Sequence, residues 1–151
     1  MDYTVRAARI TDIDRLVALS GDRLGPSVSG QPAPADLLRQ LVFLPHATIL
    51  VAERRRDILG GAVLAIRPSV RAGGYIGTID LLVVDPTTDV DDVTDGLIEE
   101  AIRSATNNGC AWVEAPQPSD STERARWERH GFTDQGPHLG RVAAPVGQRA
   151  R

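Results

Sequence analysis

The chain contains no lysine. All 17 of its basic residues are arginine, which excludes any chemistry built on a lysine Schiff base, an amine nucleophile or a Walker-type phosphate lysine. A single cysteine, Cys110, excludes an internal disulfide and a cysteine-cluster zinc site. Positive charge is in deficit. The formal net charge of -3 disfavours a basic nucleic-acid binder, and no apolar run approaches the roughly 18 to 20 residues needed to cross a bilayer. The N-terminus lacks the basic, apolar and small-residue segments of a signal peptide, so a cytoplasmic location away from the membrane is expected. What is there is ordinary for a globular chain: 151 residues, 42% hydrophobic and 25% charged. That favours one domain over residues 1–142, with 143–151 expected as a flexible tail.

The periodicity gives an order of elements. Thr4 to Ala8 reads as a short strand, and Thr11 with Asp14 three positions on reads as the cap of a helix running to about Leu19. Gly21 to Pro34, rich in Gly, Pro and Ser, reads as a long loop before a second helix from Ala35 to about Phe43. Thr48 to Ala52 and Ile58 to Ile66 are apolar and β-branched runs around the charged segment Glu53 to Asp57, the pattern of a hairpin with a solvated arginine turn. Tyr75 to Val84 is a longer strand halted by Asp85-Pro86. Val93, Leu97, Ile98, Ala101 and Ala105 then recur at helical spacing. Cys110 to Ala115 reads as a fifth strand, Ser121 to His130 as a polar helix stopped at Gly131, and Phe132 as the start of a last strand. The succession implies an α/β layer fold whose mostly antiparallel sheet has one parallel crossover late in the chain.

Four blocks carry a resemblance: Tyr3 to Leu19, the hairpin "ILVAERRRDILGGAVLAIRP", the block "IDLLVVDP" with the helix "LIEEAIRSATNNGC", and the ending "WERHGF". Together they resemble the GNAT superfamily of acetyl-CoA-dependent N-acetyltransferases over nearly the whole chain. The resemblance implies a mixed, mostly antiparallel sheet of six to seven strands flanked by about four helices. It also implies that the fourth and fifth strands splay, that the thioester lies in the gap, and that the loop after "VDP" cradles the diphosphate of CoA. Leu82, Val83 and Val84 would then line the pantetheine arm.

The chain departs from the family at that loop. The family pattern is Arg or Gln, x, x, Gly, x, Gly or Ala, in which glycines let backbone N–H groups approach the diphosphate at a positive helix N-terminus. Ungapped alignment puts Asp89 at the arginine, and Asp92 and Thr94 at the two small positions. Asp85, Asp89, Asp91, Asp92, Asp95, Glu99 and Glu100 give seven acidic residues between positions 85 and 100, with no basic one. Such a segment repels a diphosphate, while its carboxylates suit the first turn of a helix. A calcium loop is a weaker reading, because the glycine and terminal bidentate glutamate of a standard loop are missing. A second departure is Trp127, which stands where relatives commonly carry a tyrosine that protonates the departing thiolate. An indole N–H is no such acid, so Trp127 is read as pocket wall or core.

Among the remaining candidates, Asp80 on the fourth strand is the first choice for a proton-accepting base, and Glu114 on the fifth the second. Asp80 has an alternative as a structural partner of an arginine. His130 suits the negative end of the last helix, His46 and His138 read as loop residues, and no histidine pair has metal-ligand spacing. Cys110 reads as a small buried hydrophobe, and Tyr75 as a residue within reach of the cleft. No metal and no cofactor are expected. The first reading is thus a GNAT-like protein that has left conventional acetyl-CoA use and binds or transforms a small molecule between strands four and five. An active N-acetyltransferase holding acetyl-CoA by its pantetheine arm is the alternative, and an interaction module is the third. The expected partner is a small-molecule ligand or substrate, not nucleic acid or membrane, and a homodimer is left open.

Overall fold

β-Branched and apolar runs fold as strands here because both of their faces are covered. In a computed structural model of the chain, which describes residues 2–136, 139 and 141, β1 (Thr4–Ala7), β2 (Ala47–Arg54), β3 (Asp57–Ser69) and β4 (Gly74–Val84) form an antiparallel meander. β5 (Cys110–Glu114) then joins β4 in parallel, giving the order β1-β2-β3-β4-β5. The helices are α1 (Ile13–Ser20), α2 (Pro34–Leu41), α3 (Val90–Asn107) and α4 (Ser121–Arg129). Alternate residues of β2 show the layering. Ile49 and Val51 pack with Ile13, Leu16 and Leu38 of α1 and α2, whereas Leu50 and Ala52 pack with Val93, Leu97 and Ala101 of α3. None of the described helices is long and apolar enough to cross a membrane.

Close approach of neighbouring elements sets two glycines. A Cβ at Gly60 would lie 2.5 Å from the carbonyl oxygen of Val83, so β3 could not pair closely with β4. A Cβ at Gly96 would overlap the hydroxyl of Tyr3, which donates at 2.8 Å to the Asp92 carbonyl and ties β1 to the start of α3. The opposite case is the β2–β3 turn. Arg55 and Arg56 sit at φ 50° and 72°, a region in which side-chain-bearing residues are strained and Asn-Gly is the usual occupant. Replacing Arg55→Asn together with Arg56→Gly is expected to raise stability by about 1–2 kcal/mol. Urea denaturation checks it; no gain would mean that the arginine side chains compensate the strain.

The sheet among the described residues has five strands rather than six to seven. Among the described residues the segment from Phe132 forms no strand, and other contacts hold it. The Phe132 ring packs edge-on against Trp127 with centroids 5.0 Å apart, and Asp134 accepts from the Gly136 N–H at 2.8 Å and from Gln117 at 3.0 Å. His138 and the tail from Ala143 lie outside the described residues. The start of α1 also differs. A tight turn over Ile10–Asp12 precedes it, and Asp12, not Thr11, takes the free N–H, accepting from Arg9 at 2.8 Å. α3 starts at Val90, ahead of the apolar repeat that begins with Val93, because Asp89 caps it.

Candidate functional site

Pairing between β4 and β5 runs from Tyr75 opposite Cys110 to Thr78 opposite Glu114 and stops there. β5 ends at Glu114 while β4, paired from there on with β3 only, runs on to Val84, so a fork opens beyond the vertex at Thr78 and Glu114. The vertex is held by a hydrogen bond in which the Thr78 hydroxyl donates to Glu114 at 3.0 Å, and Arg67 lies 3.8 Å from the same carboxylate oxygen. Tyr75, exposed, is at the closed end, away from the opening.

Asp80 heads the free edge. Leu64 pairs with Ile79 and Val63 with Leu81, so Asp80 is an extra residue, a β-bulge, and its side chain is exposed. The bulge resets the alternation: Ile79 and Leu82, three apart, both pack in the α3-side cluster with Val84, while Val83 is buried on the α1 side. The Leu82 carbonyl points away from β3 into the fork. There it accepts a 2.6 Å bond from Arg23, which belongs to the long segment after α1.

Beyond β4 much of the acidic stretch is engaged, by its own turns and by α4. Asp85 accepts from the Thr87 N–H at 2.9 Å, from the Thr87 hydroxyl and from Arg15, and these bonds, that of the Thr87 N–H foremost, hold its carboxyl below the usual range. Asp89 caps α3, accepting from the Asp92 N–H at 3.3 Å. Asp91 takes Arg126 of α4, and Asp95 takes His130 at 2.8 Å. Thr94 is buried in α3. The Tyr3 phenol is pushed up by burial and by the carboxylates of Asp92, Glu99, Asp95 and Asp89.

Compared with solved structures, the chain is similar to a putative acetyltransferase from Agrobacterium tumefaciens str. C58, with TM-score 0.74, 22% identity and 93% of this chain against 99% of that one. It is similar to glucosamine-6-phosphate N-acetyltransferase from Arabidopsis thaliana at TM-score 0.72 and 19% identity, covering 94% and 99%. The chain has the GNAT N-acetyltransferase fold. A protein described as a transcriptional regulator from Bacillus halodurans C-125 aligns at TM-score 0.78 and 17% identity, over 94% and 100%. No family model and no curated protein matches the sequence.

Within this GNAT fold, a cavity of about 910 Å³ opens beside the vertex, lined by Thr78, Glu114, Trp112, Arg124, Trp127 and Phe132 among others. Of the residues singled out from sequence, the structure brings Glu114, Trp127, Cys110 and His130 to it. Asp80, Leu82, Val83, Val84, Asp89, Asp92 and Thr94 do not line it. Trp127 is half-buried and packs on the α3-side core, so wall and core are one role. His130 is a partner of Asp95 rather than merely a residue at a helix end. The Cys110 thiol is half-buried and pushed up by burial, which suits an unreactive filler. Among the described residues no three His, Cys, Asp or Glu side chains come together as a metal site.

Sequence reasoning missed Arg23 and Arg126. Arg23 reaches a carbonyl 59 positions away, and nothing local announces that. Arg126 had a signal: Asp91 and Asp95 at i,i+4 on one helix match Arg126 and His130 at i,i+4 on another.

Proposed function

We propose that this GNAT-fold protein does not hold acetyl-CoA by its diphosphate and instead takes a small amine-bearing molecule at the vertex of the fork, with Glu114 as the group that receives its proton. The carrying observation is the cap. The Asp92 N–H, one of the amides a diphosphate would need, is bonded to the Asp89 carboxylate, and the arginine of the family loop is replaced by that same aspartate. One carboxylate about 5 Å from one phosphate charge costs on the order of 1–3 kcal/mol at effective dielectrics between surface and bulk water. Acetyl-CoA therefore does not fit, on charge and on the side chain that Asp92 puts at the small position.

Glu114 supports the rest. It is anchored by the Thr78 hydroxyl at the point where the strands part and it borders the cavity, so one carboxylate is oriented toward the space a ligand would enter. A carboxylate so placed holds an ammonium by a charge-assisted bond or accepts its proton during reaction. Asp80, exposed at the bulge, is the second acceptor.

Calorimetric titration with acetyl-CoA tests the reading. Binding weaker than about 10 μM, or ~7 kcal/mol, is expected; tighter binding overturns it. Screening primary and secondary amines by thermal shift is expected to yield ligands whose stabilisation disappears in Glu114→Gln. Ligands that bind the variant equally well would remove Glu114 from the role. The second reading, an active N-acetyltransferase, draws on the free β4 edge, where the Leu82 carbonyl faces the fork as an acceptor for an amide-bearing arm. Arg23 now fills that position.

A further inference from the structure

α4 meets α3 through charged side chains, and its one large apolar anchor is Trp127. Its sequence, STERARWER, has two apolar residues, Ala125 and Trp127, and its one fully buried side chain is that of Arg126. Arg126 is 8% exposed and donates to Asp91 and, at 3.3 Å, to Glu123, while its buried Nε has no partner among the described residues. One turn on, His130 meets Asp95 at 2.8 Å with Arg129 at 3.9 Å. Acid residues one turn apart on α3 thus face basic residues one turn apart on α4. The Asp91–Arg126 and Asp95–Arg129 pairs keep a solvent-facing partner, Asp91 at 79% and Arg129 at 59% exposed, so salt weakens them, whereas it does not weaken apolar burial. The docked state is also short of a hydrogen bond that water supplies to Arg126 Nε once the seam opens.

A glycine just past α4 gives it one hinge, while the link before it is stiffened by two prolines. The link from β5 contains Pro116 and Pro118, and Gly131 follows at φ 89°. By topology the helix leads from Glu114 at the vertex to the first turns of α3, which follow Val84 at the tip of the other arm. It therefore bridges the two arms of the fork, and Trp127 packs in the same cluster as Leu82 and Val84.

We infer that α4 is an ionic latch: it detaches from the first two turns of α3 while the sheet stays folded, and its detachment opens the fork. This rests on the reading of the fork as the ligand site. Hydrogen exchange of the full chain without ligand tests it, at roughly 0.05 M and about 1 M NaCl. Amides of 121–130 are expected to exchange about tenfold faster at high salt, and likewise at low salt in the Asp91→Asn/Asp95→Asn variant, with those of Leu82 and Val84 following and those of β3 unchanged. Glu100→Gln, which breaks an exposed pair with Arg103 on α3, is expected to leave α4 exchange as it was. The latch is refuted if α4 exchange stays constant, if it rises only together with β3, or if Glu100→Gln accelerates it equally. If α4 opens and Leu82 and Val84 do not follow, its control of the fork is refuted. No ligand enters this measurement, so its failure is distinct from tight acetyl-CoA binding, which would overturn the proposed function and leave the latch untouched.

Discussion

Asp89→Arg combined with Asp92→Gly is expected to raise affinity for acetyl-CoA at least tenfold, a change of ~1.4 kcal/mol or more. Three effects act in the same direction. The first substitution replaces a repulsive charge with an attractive one, and at about 5 Å each half of that exchange is worth on the order of 1–3 kcal/mol. It also frees the N–H at position 92, which the Asp89 carboxylate now occupies. The second removes a side chain from the place where backbone must meet phosphate. The cost is a lost helix cap, about 1 kcal/mol of stability, and the Tyr3 anchor survives because it uses the backbone carbonyl of residue 92. Calorimetry on both proteins reads the difference, with circular dichroism confirming that α3 remains. An unchanged affinity would mean that charge at this loop does not decide cofactor use.

How much of this was legible in the sequence follows from the range of the forces involved. β2, β3, β4 and α3 could be read because burial on a layer imposes a period, and Leu97, Ile98, Ala101 and Ala105 keep it without a break. The splay could be anticipated only through resemblance, since nothing in the run Ile79 to Val84 says that it lacks a neighbour on one side. Phe132 misled because an apolar residue after a glycine fits a strand and a tertiary contact equally, and the Trp127 ring decided for the contact. At the site, the acidic loop was visible as composition, but its bonding was not. The Asp89 cap is local, but that Asp91 reaches Arg126 and Asp95 reaches His130 depends on where α4 returns, 35 residues later. The Asp80 bulge is a pairing irregularity with no residue signature of its own.

Asp12→Asn is expected to cost about 2–3 kcal/mol at neutral pH, the range for removing one partner of a nearly buried, multiply bonded charge pair. Asp12 sits in the turn before α1 and joins three elements through one guanidinium. Arg6 of β1 grips both its oxygens, at 2.8 and 3.2 Å, and at the same time donates to Glu53 of β2 at 2.7 Å. Arg6, and next the Arg9 N–H, hold the Asp12 carboxyl below the usual range against the opposing effect of burial. A carboxyl depressed in the folded state binds its proton more readily in the unfolded chain. Its contribution is therefore complete above the unfolded value of about 3.9 and fades as pH falls through the lower folded value. Asparagine has no such dependence, so the gap between the two proteins should narrow on acidification. Glu53 is depressed by the same arginine and fades in both proteins alike. Urea denaturation of each from about pH 7 down to about pH 2.5 measures the gap directly, and a gap that keeps its full width at the acid end would show that packing at this turn, rather than the charge of Asp12, joins β1 to α1.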